Sequence, residues 1–155
     1  MSEDEFQDPL ENYDPPTYSD PLEEALAQQL VTEIQATPFA TVNQETPISE
    51  ALGKLVGDDI ACLLVSDDEG KLVGVFSDRD VLNHVALEFD EVKNQPVRTV
   101  MTADPVYVYE TDSAAAALTV MAVSGFRHVP VVDLKEHILG IISPQRVTQF
   151  MNQYL

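Results

Sequence analysis

Four polar residues, 77–80, follow directly on an apolar run in the middle of the sequence, and three of them could bind a ligand. Ser77, Arg79 and Asp80 come immediately after residues 72–76. If that run is a strand and a helix begins after Ser77, the free amides of the first helical turn form a seat for an anion. Arg79 can add charge-assisted hydrogen bonds, and the Asp80 carboxylate can accept from two vicinal hydroxyls. The alternative is a capping box, in which Ser77 and Asp80 satisfy each other's backbone amides and bind nothing.

A second group with related spacing lies 66 residues further along the chain. Ser143 also follows an apolar run, but Arg146 stands where the first group has an aspartate. A cation in the first turn of a helix lies at the unfavourable end of the helix dipole, so it needs an anion nearby. Either a salt bridge to Asp104 or Glu136 explains Arg146, or its side chain reaches a phosphate, or it fills a degenerate site that binds nothing.

The two groups belong to an internal repeat that dominates the sequence. Residues 31–90 recur in altered form at 97–150, with an offset of 66 residues at both ends. Each copy predicts an extended segment, a helix, two strands and a final helix, the order β-α-β-β-α. The predicted helix stripes are Ile48, Ala51, Leu52, Leu55 and Val56 in the first copy, and Ala114, Ala117, Leu118, Met121 and Ala122 in the second.

A single copy of about 60 residues would be only marginally stable alone, and its sheet would carry helices on one face only. We therefore expect an α/β (α+β) fold in which two β-α-β-β-α repeats pair sheet edge to sheet edge. Two clefts related by pseudo-twofold symmetry should lie between them. The helices 48–57 and 114–122 offer a face for dimerisation.

A further helix is predicted before the first copy, beginning at Asp20–Pro21. Its apolar face consists of Leu22, Leu26, Leu30 and Ile34. The predicted domains are an acidic disordered tail (1–19), a first repeat domain with its leading helix (20–90) and a second repeat domain (91–155).

Charge and composition exclude several classes of function. The net charge is −19, and the first 53 residues hold twelve acidic and no basic side chains. Such a field disfavours nucleic acid and membrane surfaces as partners. Cys62 is the only cysteine, and the chain starts without a signal-like apolar run, so a soluble cytoplasmic protein is expected. No Ser/His/Asp set, phosphate-binding loop or metal-ligand spacing is present, so we expect neither catalysis nor a metal site.

Four segments carry a more specific signal: residues 74–80, 96–101, 125–133 and 140–146. They resemble the cystathionine-beta-synthase (CBS) domain family, in the tandem arrangement called the Bateman module. The resemblance implies regulatory sensing of an adenine nucleotide (AMP, ADP or ATP) or S-adenosylmethionine between the copies, with no required cofactor. It also implies a homodimer and an unidentified regulated protein. The alternative is a protein-interaction scaffold with empty clefts, which acts through its surface and acidic tail.

The resemblance also implies roles for individual residues. The Ser77 hydroxyl faces phosphate and Asp80 takes the ribose hydroxyls, while the residues that open each copy surround the adenine. Arg127 matches a position at which relatives contact phosphate, the alternative being an exposed ion pair. Phe39 can instead be core, and Asp104 can cap its own backbone. The predicted nucleotide-binding residues are Thr37, Pro38, Phe39, Ser77, Arg79, Asp80, Asp104, Arg127, Ser143 and Arg146.

Overall fold

The computed structural model describes residues 14–34, 39–57 and 60–155, and both repeats fold in the predicted order β-α-β-β-α. The first repeat consists of β1 (Thr41–Asn43), α2 (Ile48–Gly57), β2 (Cys62–Ser66), β3 (Leu72–Ser77) and α3 (Asp78–His84). The second consists of β5 (Val108–Tyr109), α5 (Ala114–Ser124), β6 (Val129–Val132), β7 (Ile138–Ile142) and α6 (Pro144–Asn152). The flanking elements are α1 (Pro21–Gln28), α4 (Phe89–Val92), β4 (Thr102–Ala103) and 3-10 turns at Val31–Glu33 and Val97–Thr99. The predicted fold class is confirmed.

Local signals in the sequence set the ends of these elements. The Asp20 carboxylate accepts from the Glu23 amide at 2.8 Å and caps α1, as predicted. Gly125 ends α5 with a φ of 72°, a conformation that favours glycine. The turn between β2 and β3 closes through a 3.1 Å hydrogen bond from the Gly70 amide to the Asp67 carbonyl. This confirms the predicted hairpin.

The apolar face predicted for the leading helix is wrong in its second half. The chain leaves α1 at Gln29, whose ψ of 147° is extended, so the i+4 series ends with Leu26. Leu30 is consequently 46 % exposed, whereas Ile34 is buried by a separate 3-10 turn. Val56, the last member of the α2 stripe, is also exposed, at 74 %.

The segment that leads into each repeat packs on the opposite repeat. Ala25 and Val31 lie in one core with the buried residues of α5, β6 and β7, and the Val31 amide donates to the Asp112 carbonyl at 2.8 Å. Val97 and Val100 lie in the other core, with those of α2, β2 and β3. The leading helix, which the sequence groups with residues 20–90, therefore packs against the second repeat.

The two sheets differ in their number of strands because one strand crosses over. The first sheet has the order β1-β2-β3-β4 and the second has β5-β6-β7. Strand β4 follows the first repeat in sequence yet pairs antiparallel with β3, Thr102 opposite Val75 and Ala103 opposite Gly74. A methyl group on Gly74 would stand 2.9 Å from the Thr102 carbonyl oxygen, so glycine permits this close approach.

The predicted pairing of the sheets edge to edge is limited, among the described residues, to an antiparallel bridge between Lys71 and His137, and side chains of the two sheets also pack together. Cys62 and Leu64 of β2 form a small cluster with Ile141 of β7. The alternate β2 residues Leu63 and Val65 are also buried, so both faces of this strand are apolar and need cover. Helices cover one face and the second sheet covers the other.

Candidate functional site

The predicted anion seat lies where β3 passes into α3, but two of its amides already have partners. Ser77 is the N-cap residue, with extended backbone at φ −118° and ψ 170°. The Asp78 amide donates to the Ala61 carbonyl at 3.2 Å, and the Arg79 amide donates to the Asp78 carboxylate at 2.8 Å. Any anion at this helix end must therefore be held by side chains or must displace these contacts.

The Asp80 carboxylate is the centre of this junction. It is 5 % exposed and accepts from the Ser77 amide at 2.9 Å and from the Ser77 hydroxyl at 3.2 Å. The carboxylate half of the capping box that the sequence left open is thus formed. A third donor is the Thr102 hydroxyl at 2.9 Å, which comes from the crossing strand β4. Sequence reasoning missed Thr102, because no local pattern indicates a contact with a residue 22 positions earlier.

His128, which precedes β6, brings the second repeat close to this junction. Burial lowers the pKa of His128, the negative charge of Asp78 opposes that shift, and the positive charge of Arg127 adds to it. His128 is therefore close enough to Asp78 for their charges to interact across the repeat boundary. It lies near the start of α3, and Arg127 is its neighbour in the sequence.

The three predicted arginines have no carboxylate partner among the residues that the structure describes. Arg79 and Arg127 are exposed and lie in no ion pair within 4.0 Å there. Arg146 donates to Gln149 at 3.4 Å, and no described carboxylate, including those of Asp104 and Glu136, forms a salt bridge with it. Among the described residues, an ion pair therefore accounts for neither Arg127 nor Arg146.

The remaining predicted residues do not all gather at Ser77. Phe39 packs against the cluster between the sheets, which includes Cys62, the strand partner of Ser77. The amide of Asp104 donates to the Val73 carbonyl at 3.3 Å, so Asp104 lies four strand residues, about 13 Å, from the end of β3. Thr37 and Pro38 lie outside the described residues.

The second helix start is simpler than the first. Ser143 caps α6, and its hydroxyl accepts from the Arg146 amide at 3.5 Å. Arg146 occupies the position of Asp80, so this junction has no carboxylate at that point of the helix. Asp104, which the sequence assigns to this copy, is exposed and has a positive φ of 48°.

The buried thiol of Cys62 lies beside the first junction. Burial raises its pKa to about 12, and the charges of Asp80 and Asp78 act in the same direction. The thiol is therefore protonated at neutral pH and is not a nucleophile. Within the described residues, no group of three or more His, Cys, Asp and Glu side chains is placed to hold a metal ion.

Two surface cavities lie away from both junctions. One of about 370 Å³ lies between α3, α4 and the Val97–Thr99 turn, and one of about 320 Å³ lies along α6. Neither is lined by a predicted nucleotide-binding residue. Across the described residues, no helix is long and apolar enough to cross a membrane.

The fold and the two helix starts match a known family. The CBS domain matches the chain twice, at residues 31–87 and 97–152, and the two matches begin at the two 3-10 turns. The chain belongs to the CBS domain family and contains two CBS domains in tandem.

Curated relatives share this module as part of longer chains. The CBS domain-containing protein CBSCBSPB5 of Arabidopsis thaliana is 31 % identical over 74 % of this chain and 21 % of its own. A homoserine O-acetyltransferase of Methanosarcina acetivorans is 26 % identical over 83 % of this chain and 23 % of its own. The chain thus spans about a fifth of the length of these relatives.

Solved structures of similar chains contain adenosine compounds. The structure of CBSX2 in complex with AMP is 29 % identical, with a TM-score of 0.71 over 81 % of this chain and 97 % of that one. The CBS domain pair of MJ0100, in complex with 5'-methylthioadenosine and S-adenosylmethionine, is 25 % identical, with a TM-score of 0.68 and the same two shares.

Proposed function

We propose that this chain is a regulatory module that binds an adenine nucleotide, or S-adenosylmethionine, at the junction between its two repeats. One observation carries the proposal. Arg79 lies at the start of α3, and Arg127 adjoins His128, whose charge interacts with Asp78. Neither arginine has a described carboxylate partner, although the chain has a net charge of −19. A bound phosphate or carboxylate would supply the missing anion.

The proposed roles follow from the chemistry of each side chain. Arg79 and Arg127 hold the phosphate through charge-assisted hydrogen bonds. Asp80 accepts from the two ribose hydroxyls, and Ser77 turns its hydroxyl towards the phosphate. Phe39, with Thr37 and Pro38, lies against the adenine. None of these groups is assigned a chemical step, and the complexes of CBSX2 and MJ0100 support this kind of ligand.

A ligand held in this way would contact both repeats. It would favour the arrangement of repeats that brings Arg127 towards Ser77, and a partner protein that distinguishes the arrangements would respond to it. The signal is thus a shift in population rather than a reaction. The comparisons do not favour the scaffold alternative.

The second junction is proposed to bind differently. Ser143, Arg146 and Asp104 provide a hydroxyl, a cation and a carboxylate, but no acidic residue occupies the helix position of Asp80. We propose that this site takes an anion without a ribose clamp, and that it binds nucleotide more weakly than the first.

The remaining properties stay proposals. We propose a cytoplasmic homodimer, with the repeat domains divided at residues 90 and 91 and an acidic tail at 1–19. The exposed Val56 and Val123, at the ends of α2 and α5, support a dimer face on these helices.

The experiment is an equilibrium titration of the chain with AMP, ADP, ATP and S-adenosylmethionine by calorimetry. We expect saturable binding of at least one, and a loss of roughly tenfold or more in nucleotide affinity for Arg79→Gln and for Arg127→Gln. Arg98→Gln is the matched control, because it removes the same charge from an arginine that already pairs with Glu45 at 2.9 Å. If none of the four compounds saturates the wild type, the proposed function is wrong.

Asp80 is a less suitable position for this test. Its removal would leave the Ser77 amide and the Thr102 hydroxyl without their acceptor at a buried site, which destabilises the fold by about 1–3 kcal/mol. A loss of binding by Asp80→Ala would therefore mix two effects. Substitution of the exposed Arg79 or Arg127 removes a ligand contact without removing a buried hydrogen bond, so it tests binding alone.

A further inference from the structure

The Asp80 carboxylate has donors on both of its oxygens. Oδ2 accepts from the amide and the hydroxyl of Ser77, and Oδ1 accepts from the hydroxyl of Thr102 at 2.9 Å. An ionised carboxylate has about four acceptor positions, so about one is vacant here. A vicinal diol needs two positions, one on each oxygen. The donors around Asp80 must therefore rearrange before it can hold a diol.

The two carboxylate oxygens of Asp80 can lose their hydrogen-bond donors in different ways. The Ser77 hydroxyl can rotate towards a phosphate and leave Oδ2 without unwinding α3, because the Ser77 amide keeps its own hydrogen bond. Oδ1 is covered by Thr102, which belongs to another segment of the chain. Since Asp80 is only 5 % exposed, a ligand hydroxyl reaches Oδ1 only when Thr102 turns away.

Strand β4 holds Thr102 in this position but is short. It has two residues, pairs with β3 at Gly74 and Val75, and lies at the edge of its sheet. A short edge strand with few ladder hydrogen bonds opens at low free energy. The Thr102 hydroxyl can therefore leave Asp80 while the two cores stay packed.

We propose that the hydrogen bond from Thr102 to Asp80 is a latch that closes the first site, and that a ligand diol opens it by replacing the Thr102 hydroxyl on Oδ1. The latch rests on the proposed nucleotide site. Its opening loosens β4, which leads directly into β5 of the second repeat. Occupation of a site in the first repeat thereby changes the connection to the second.

Thr102→Val tests the latch, because valine has the shape of threonine but cannot donate. Oδ1 then lacks a partner at a buried position, and a ligand hydroxyl restores the lost hydrogen bond. We expect AMP to bind Thr102→Val about tenfold more tightly than wild type. Thr102→Ser keeps the hydroxyl and should bind as wild type does. Thr99→Val is the matched control, because the Thr99 hydroxyl bonds the Pro96 carbonyl at 2.8 Å in the same segment.

A second measurement follows the strand itself. Saturating AMP should speed amide hydrogen exchange in wild-type peptides that cover residues 100–105. Thermal unfolding of each variant verifies that it is folded.

The outcomes separate the latch from the site. The latch proposal is wrong if wild type binds AMP but Thr102→Val binds it no more tightly. It is also wrong if amide exchange at residues 100–105 does not rise. In both cases the proposed nucleotide site is unaffected. If neither binds any of the four compounds, the nucleotide site is wrong and the latch falls with it.

Discussion

Asp80 is the one charged side chain that is buried in the described part of the chain. A buried carboxylate is tolerated only when it is hydrogen-bonded, and Ser77 and Thr102 provide the donors. The spacing of Ser77 and Asp80 indicated the cap as one of two alternatives. The contact with Thr102 could not be predicted, because it depends on a strand that crosses between the repeats.

His128 gives this junction a dependence on pH. Its pKa in the folded chain lies below the ordinary value of 6.5, chiefly because burial disfavours the charged ring. The unfolded chain therefore takes up a proton first as the pH falls. The stability associated with the neutral ring is present above about pH 6.5 and is lost as the pH falls from there through the folded pKa.

The expected result is a free energy of unfolding that decreases between pH 7.5 and pH 5.5, measured by urea denaturation. His128→Gln should flatten this slope, because glutamine does not titrate. His84→Gln, on an exposed turn of α3, should keep it, because His128 is still present. An equal slope in wild type and His128→Gln would contradict the role assigned to the histidine. The pKa of Asp133 is lowered from its ordinary value of 3.8, chiefly by the backbone hydrogen bond from His137. This carboxylate therefore does not contribute to the slope between pH 7.5 and pH 5.5.

At the scale of elements, each of the two 3-10 turns packs in the core of the repeat that it does not precede, and so the turns join the repeats. Val31 precedes the first repeat and is fully buried in the core of the second, whereas Val97 precedes the second and is fully buried in the core of the first. The two valines are 66 residues apart and occupy equivalent turns. They form a natural pair of matched variants.

Val31→Ala and Val97→Ala should each lower the free energy of unfolding by about 2 kcal/mol, because each removes fully buried methyl groups. Each substitution should loosen the repeat that its residue does not precede. Val31→Ala should raise amide exchange first in α5 and β6, and Val97→Ala in α2 and β2. Each variant is the control for the other, and a Val31→Ala that loosens only the first repeat would show that the leading segments do not cross.

Periodicity predicted the elements of each repeat but not their partners. Ile48, Ala51 and Leu55 are buried as their spacing requires, since a helix stripe is a local property. The crossing of Val31 and Val97 depends on contacts distant in the sequence, which an apolar residue does not encode. The same limit explains why the side-chain packing between the sheets was not predicted, although the continuous apolar run of β2 carried a signal that both faces need cover.

At the scale of the whole molecule, net charge and exposed apolar surface act against each other. A chain with a net charge of −19 repels a second copy of itself, and salt screens that repulsion over about 10 Å at 0.1 M. Val56 and Val123 are 74 % and 83 % exposed at the ends of α2 and α5. Association through these helices should therefore be weak at low ionic strength and stronger when salt is added.

Light scattering after size exclusion tests this balance. We expect the mass to rise from 17.1 kDa towards twice that value as protein concentration and sodium chloride increase. Val123→Asp places a further negative charge on the proposed face and should keep the chain monomeric at about 0.3 M salt, where screening is strong. Leu134→Asp makes the same charge change at a residue that is 72 % exposed but lies outside both helices, so it should associate as wild type does. A wild type that stays monomeric at every salt concentration, or a Val123→Asp that dimerises equally well, would show that these helices are not the interface.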